Sequence, residues 1–294
     1  MIRMVFVHGM RQEGKNPAEL RKVWQDALTA AWTRDGLPAP QYTLEMPFYG
    51  DVLNELTEAV RGGPSAVVTR GEGGPLTFTP LEEELIRAMA AKKEIMPTGQ
   101  RITDAEVRAE LGQEVVTRGP ANWEWVQAIG RLLERQVPGL GNFGLKFVRQ
   151  VDAYLTRPHI QKAVDDIVGP SLTQGRTIVV AHSLGTIVAY RLLRYATQSV
   201  DVPLFMTLGS PLGIETVKNN LQPPPRQIPA GVTKWLNGVD ERDYVALVSR
   251  LGGTSFAANI EDIIDIHNRQ SDAHFIVDYL SDTRISRRIH TALQ

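Results

Sequence analysis

The chain has 294 residues, of which 43% are hydrophobic and 22% charged, and its formal net charge is −1. This balance is typical of a soluble globular protein built as one large α/β domain or as a core with an insertion, and it argues against nucleic acid as an electrostatic partner. Cysteine is absent, which excludes disulfides, thiolate metal sites and thiol nucleophiles. The sequence shows no signal peptide, and no apolar run approaches the length of about 20 residues that a membrane span needs. We therefore expect a cytoplasmic protein.

A strand–helix–strand pattern opens the chain. The apolar run Ile2–Val7 leads into His8-Gly9-Met10, as a buried parallel strand does before its loop. The following helix is predicted from Asn16-Pro17, which supply an N-cap and a proline at the first helical position. A second strand is predicted over Tyr42–Phe48, so both strands should lie in one parallel sheet.

The middle of the chain, residues 61–170, is predicted to be mainly helical. Residues 61–80 hold two glycine-rich runs and predict a mobile loop. Capping boxes indicate helix starts at Thr79 and Thr103, and further helices are expected over Pro120–Gln136, Gly144–Leu155 and Pro158–Val168. This block is too long for an ordinary connection, so we interpret it as a cap-like insertion between the core segments 1–60 and 171–294. Its last helix is alternatively a crossover helix that packs on the sheet.

Residues 177–187 form the stretch with the clearest chemical meaning. Four residues of high β-propensity lead into Ala181-His182-Ser183-Leu184-Gly185, and apolar residues at helical spacing follow. A serine at a strand–turn–helix junction is typical of a nucleophile elbow, in which a strained turn holds the hydroxyl out at the end of the sheet. Ala181 stands where the Gly-x-Ser-x-Gly pattern has its first glycine, a position that needs a small side chain. The alternative is that Ser183 is only the N-cap of the next helix.

Three more strands are predicted after the serine, over Val202–Leu208, Lys234–Val239 and Ile260–His267. A nucleophilic serine needs a base, and the base needs an acid to orient it, in the chain order serine, acid, histidine for an open parallel sheet. Asp240 and Asp243 both follow a strand, and their positions do not decide between them. Asp243 is alternatively the N-cap of a helix over Tyr244–Val248.

Six histidines compete for the role of the base. His274 lies in a loop past the last strand, where the base of such a site is normally placed, and we favour it over its rival His267. His8 and His182 lie in motif turns ahead of the acid, and we expect them to support the site. The expected oxyanion donors are the backbone N–H groups of Met10 and Leu184.

The sequence gives little support for a metal-binding or phosphate-binding site. It contains no His-x-x-x-His or His-Glu-x-x-His pair, and the glycine-rich stretch lacks the Gly-Lys-Ser/Thr ending of a phosphate loop. We therefore expect neither a metal nor a cofactor.

Four segments together resemble the α/β-hydrolase superfamily, in its lipase and esterase branch: Val5–Met10, Val179–Thr186, Leu208–Gly213 and Trp235–Ala246. The chain is similar to uncharacterised bacterial serine hydrolases that begin directly at the His-Gly strand. The resemblance covers residues 1–55 and 171–294. It implies a mostly parallel sheet flanked by helices, with Ser183 as nucleophile. It also implies His274 as base, and it favours Asp243 because the acid of similar lipases often precedes an x-Val pair.

These observations predict a serine hydrolase that cleaves a small-molecule or lipid-like carboxylic ester through an acyl-enzyme, without a cofactor. The alternatives are an amidase, thioesterase or peptidase that uses the same three residues, since the fold does not fix the bond. A second class is a catalytically inactive hydrolase fold that binds a lipid or a protein. A third is an enzyme whose insertion makes peripheral contact with a membrane, against which the lack of a basic amphipathic run argues.

Overall fold

The computed structural model describes residues 2–61, 78–112, 123–197, 199–221 and 226–294. The chain divides into two compact units: a sheet unit, Met1–Val52 with Lys162–Gln294, and a helical unit, Leu53–Gln161. Both dividing points fall inside helices. Most of the loop predicted for residues 61–80 lies outside the described residues.

Six parallel strands in the order β2-β1-β3-β4-β5-β6 form the sheet of the sheet unit. They are β1 (Arg3–Val7), β2 (Thr43–Glu45), β3 (Thr177–His182), β4 (Phe205–Leu208), β5 (Trp235–Gly238) and β6 (Ile260–Ile263). Every residue of β3, β4 and β5 is buried, as in a parallel sheet covered on both faces. The prediction of an α/β protein with a parallel sheet flanked by helices is confirmed.

The described α-helices are α1 (Pro17–Arg34), α2 (Gly50–Arg61), α3 (Pro80–Ala91), α4 (Asp104–Leu111), α5 (Trp123–Gln136), α6 (Leu140–Thr156), α7 (Pro158–Leu172), α8 (Leu184–Arg194), α9 (Glu215–Asn220), α10 (Ile276–Ser281) and α11 (Thr283–Ala292). Asn16 caps α1 as predicted, because its side-chain oxygen accepts the N–H groups of Ala18 and Glu19. Both predicted capping boxes form, at the starts of α3 and α4.

Helices cover both faces of the sheet. On one face α1, α10 and α11 enclose a core in which Phe6 and Val180 from the strands meet Trp24 from α1. On the other face lies α8, whose Tyr190 ring is 5.4 Å from the ring of Trp235 on β5. Apolar side chains therefore pack on both faces of the sheet.

The helical unit has its own core. Leu85 and Met89 of α3, Val126 and Leu133 of α5 and Leu145 of α6 are each fully buried. A side chain at Gly141 would overlap the carbonyl oxygen of Gly130, so Gly141 lets α5 and α6 approach closely. Among the helices of the described ranges, none is long and apolar enough to cross a membrane.

The strand order changes direction between β1 and β3. The chain passes from β1 through α1 to β2 on one side, and β3 then takes the place on the other side of β1. In open parallel sheets, ligands bind outside the carboxyl ends of the strands at such a switch point. The loops that leave β1 and β3 there carry Gly9 and Ser183.

Candidate active site

Ser183 lies in a strained turn between β3 and α8. Its φ of 56° and ψ of −134° put a residue with a side chain in a region that favours glycine, at a cost of about 1–3 kcal/mol. The turn is held because the Ser183 N–H donates to Leu208 O at 3.1 Å and Thr186 Oγ1 donates to Ser183 O at 2.7 Å. The serine side chain makes no capping hydrogen bond to α8. The strain therefore holds the hydroxyl at the end of the sheet instead of capping the helix.

Two glycines let the loop after β1 approach this turn. A Cβ at Gly9 would lie 2.5 Å from Ser183 Cβ and 3.0 Å from its Oγ. A Cβ at Gly185 would overlap the carbonyl oxygens of Val7 and His8. Ser183 is 1% exposed, and its Oγ makes no hydrogen bond within the part of the chain that the structure describes. The serine hydroxyl is thus buried against the glycine backbone.

Two backbone donors border the serine. Leu184 is the first residue of α8, whose opening N–H groups have no partner inside the helix. The Met10 N–H follows Gly9, and among the described residues neither Met10 nor Leu184 donates its N–H to another group. Gln12 Nε2 donates to Met10 O at 2.8 Å and so fixes the peptide after Met10. Leu184 thus follows Ser183 directly, and Met10 follows Gly9, whose backbone lies against Ser183.

His8 holds the loop that carries Gly9. Its Nδ1–H donates to Gly9 O at 2.7 Å, and its Nε2 accepts the Tyr49 N–H at 3.2 Å, which defines one neutral tautomer. Burial lowers the pKa of His8 to about 4, although the hydrogen bond to Gly9 acts in the opposite direction. Tyr49 stacks on the imidazole at 4.1 Å and donates its hydroxyl to His8 O. At neutral pH His8 is an uncharged support for this loop.

Asp243 and His274 form a buried pair. His274 Nδ1 lies 2.9 and 2.8 Å from the two carboxylate oxygens of Asp243, which is 0% exposed. Burial alone would raise the pKa of the Asp243 carboxyl. The charge of His274 and the hydrogen bonds that the carboxylate accepts outweigh it and lower that pKa to about 2. The pair engages one ring nitrogen of His274, Nδ1.

The helix considered over residues 244–248 does not form. Asp243 Oδ1 instead accepts the N–H groups of Val245 at 2.7 Å and Ala246 at 3.2 Å, and the Leu247 N–H donates to Val245 O. These local bonds offer the backbone an alternative to a helix. Asp243 therefore organises a turn, and the role as a helix N-cap is ruled out.

Asp240 has different partners. Its carboxylate accepts Arg242 Nε at 3.0 Å, Arg242 Nη2 at 2.6 Å and the Asn268 N–H at 2.7 Å. Tyr279 connects the two acids, because its hydroxyl donates to Asp243 Oδ2 at 2.7 Å and accepts the Asp240 N–H at 3.0 Å. His274 is therefore paired with Asp243, whereas Asp240 forms an ion pair with Arg242.

His182 lies against His274. Its Nε2–H donates to His274 O at 3.0 Å, and the two ring centres are 4.3 Å apart. Burial, and then the neighbouring imidazole, holds the pKa of His182 well below its usual value. Gly209, which has a φ of 54°, passes beside the pair, and a Cβ there would lie 2.6 Å from Asp243 Oδ2. Because His182 precedes Ser183 directly, these contacts bring Ser183 and His274 to the same edge of the sheet.

The remaining histidines lie elsewhere. β6 ends at Ile263, so His267 does not end a strand as predicted, and its side chain is exposed in the loop beyond. His159 is exposed at the start of α7, and His290 in α11 donates to Pro38 O at 2.7 Å. Across the described ranges, no group of three or more His, Asp or Glu side chains could hold a metal ion.

Several residues of this site carried no signal in the sequence. Tyr49 and Asn268 belong to no motif, and each reaches the site through a contact with a residue distant in the chain. The glycine at position 209 follows a predicted strand, but its positive φ and its contact with the pair become evident only in three dimensions.

Comparison with profiles of known protein families finds no match, and comparison with curated protein sequences finds none either.

Proposed function

We propose that this protein is a serine hydrolase of the α/β-hydrolase type that cleaves a carboxylic ester through an acyl-enzyme. The observation that carries the proposal is the buried Asp243–His274 pair at the same sheet edge as Ser183, in its strained turn. The switch point between β1 and β3 supports it, because Gly9 and Ser183 follow those strands.

Each residue has a defined role in the proposed reaction. Ser183 Oγ attacks the carbonyl carbon while His274 Nε2 accepts its proton. Asp243 keeps the other proton on Nδ1 and stabilises the imidazolium that forms. The Met10 and Leu184 N–H groups stabilise the oxyanion, a contribution of about 10²–10³ in rate for each donor in comparable sites. His274 then gives its proton to the leaving alcohol, and water releases the acid by the same steps.

The attack requires a hydrogen bond between Ser183 Oγ and His274 Nε2, and the structure shows no hydrogen bond at the serine oxygen. In substrate-free enzymes such bonds are often long and shorten only in the complex. The proposal therefore includes a small adjustment of the serine side chain when substrate binds.

An active-site label tests the proposal. A fluorophosphonate forms a stable bond with an activated serine, and we expect one label per chain, on the peptide that contains Ser183. Ser183→Ala should abolish labelling. Ser210→Ala is the matched control, because Ser210 is also 1% exposed but bonds with Thr186 Oγ1 at 2.8 Å and Leu212 N at 3.2 Å. Folded wild-type protein that takes up no more label than Ser183→Ala would overturn the proposal and favour a binding protein.

A substrate panel then decides which bond is cleaved. Aryl esters of increasing acyl length are compared with the matching thioesters and anilides. We expect the esters to be hydrolysed fastest. A preference for thioesters or anilides would instead assign the same residues to a thioesterase or an amidase.

A further inference from the structure

Side chains hold three of the backbone groups around His274. Asn268 Nδ2 donates to Ala273 O at 2.6 Å, and the His274 N–H donates to Asp272 Oδ1 at 3.0 Å. On the other side, His182 Nε2 donates to His274 O at 3.0 Å. The peptide groups before and after the base are therefore held from three directions.

Asn268 is itself tied to the end of β5. Its backbone N–H donates to Asp240 Oδ2 at 2.7 Å, and its backbone oxygen accepts Arg242 Nη2 at 2.6 Å. Asp240 is 1% exposed and Asn268 is 5% exposed. Both anchoring bonds use the backbone of Asn268, so its side chain remains available for Ala273.

We propose that Asn268 is a positioning residue for His274, with Asp240 and Arg242 as its anchor. Ala273 O can only accept a hydrogen bond, so the amide group that faces it is the NH₂ of Asn268. This bond sets the peptide that enters His274 and so the direction of its imidazole towards Ser183. The expected effect on kcat rests on the proposed function. The position of His274 can be observed without catalysis.

Loss of the Asn268 amide should misalign the base and leave substrate binding intact. A small displacement of a catalytic group lowers the rate of the chemical step steeply. We therefore expect Asn268→Ala to lower kcat about tenfold or more on an aryl ester, with KM unchanged. The anchoring bonds to Asp240 and Arg242 persist in this variant because they involve only the backbone.

Asn220→Ala is the matched control. Asn220 Nδ2 also donates to a backbone oxygen, that of Thr216 at 2.8 Å, but in α9. We expect its kcat and KM to equal those of the wild type. Asn268→Leu is a second variant that retains most of the side-chain volume and lacks the donor, so a folding defect caused by a cavity can be recognised.

Proton NMR provides a readout that does not depend on turnover. The His274 Nδ1 proton, in its hydrogen bond to Asp243, should give a low-field imidazole resonance that disappears in Asp243→Asn. We expect the resonance to broaden or shift in both Asn268 variants and to persist in Asn220→Ala. An unchanged resonance together with unchanged kcat in Asn268→Ala would overturn the inference. If the wild-type protein hydrolyses nothing, the proposed function fails, and the resonance still decides whether Asn268 positions His274.

Discussion

Removal of the Tyr279 hydroxyl tests how the candidate acid, Asp243, is held. It donates to Asp243 Oδ2 at 2.7 Å and accepts the Asp240 N–H at 3.0 Å, and the residue is 0% exposed. Burial and then the adjacent Asp243 carboxylate hold the pKa of Tyr279 well above its usual value, so the hydroxyl stays a donor. Tyr279→Phe removes both bonds with the loss of a single oxygen atom.

The expected cost follows from the two bonds. A hydrogen bond to a charged group contributes about 1.5–3 kcal/mol, and a buried N–H left without a partner costs about 1–3 kcal/mol. We expect Tyr279→Phe to lose about 4 kcal/mol of unfolding free energy at pH 7. Ester hydrolysis should fall less steeply than in Asp243→Asn, because the bond between Asp243 and His274 remains.

Urea denaturation followed by circular dichroism measures this cost. Tyr190→Phe is the control, since the Tyr190 hydroxyl makes two longer bonds: it donates to Gln227 O at 3.3 Å and accepts the Gln227 N–H at 3.4 Å. The charge and hydrogen bond of His274 lower the pKa of Asp243 and remain in both variants, so this carboxylate stays ionised between pH 5 and 8 and the deficit of Tyr279→Phe should stay constant there. A deficit no larger than that of Tyr190→Phe, or one that vanishes at pH 5, would refute the reasoning.

Three further predictions concern the loop after β1 and the acid. Gly9→Ala should lower the rate of fluorophosphonate labelling about 100-fold in a folded protein, because the Cβ of the alanine would lie 2.5 Å from Ser183 Cβ. Unchanged labelling would contradict the close approach of the Gly9 backbone to Ser183. His8 binds a proton near pH 6.5 in the unfolded chain, but only near its lowered pKa of about 4 in the folded protein. As the pH falls from 6.5 to 4, protonation of the unfolded chain therefore lowers the free energy of unfolding by up to about 3 kcal/mol. The urea midpoint of His8→Asn should fall less between pH 7 and 4.5 than that of the wild type. If the two midpoints fall equally with pH, His8 is not the source of this pH dependence. Asp243→Asn should lower kcat for an aryl ester about 10⁴-fold by favouring the wrong tautomer of His274, and a variant that keeps most of its activity would exclude Asp243 as the acid.

Local patterns sufficed to locate the strands and the capped helices. β1, β3 and β4 are short, mainly apolar runs, and the caps of α1, α3 and α4 depend on residues within three positions of the helix start. Strand ends were less predictable, because pairing sets them. β6 pairs with β5 only from Ile260 to Ile263, so the apolar pattern that extends to Ile266 continues into a loop.

The choice between the acids required contacts that no local pattern encodes. Asp240 and Asp243 lie three positions apart in one turn, whereas His274 is 31 residues from Asp243. The loop from β6 to His274 is held by the hydrogen bond of the Asn268 N–H to Asp240, whose carboxylate also accepts Arg242. Such bonds have no periodicity, so the sequence alone left both acids open and only the resemblance favoured Asp243.

The two acids also differ in what their partners allow them to do. Arg242 carries a permanent charge, so the carboxylate of Asp240 is compensated before and after any reaction. Asp243 accepts uncharged donors, the Tyr279 hydroxyl and the Val245 and Ala246 N–H groups, beside the imidazole of His274. In the proposed reaction, its attraction to His274 would therefore increase as that ring took up the serine proton. A group catalyses only through interactions that strengthen in the transition state. By this criterion Asp243 is suited to act on a reacting histidine, and Asp240 is suited to fix the loop that carries it.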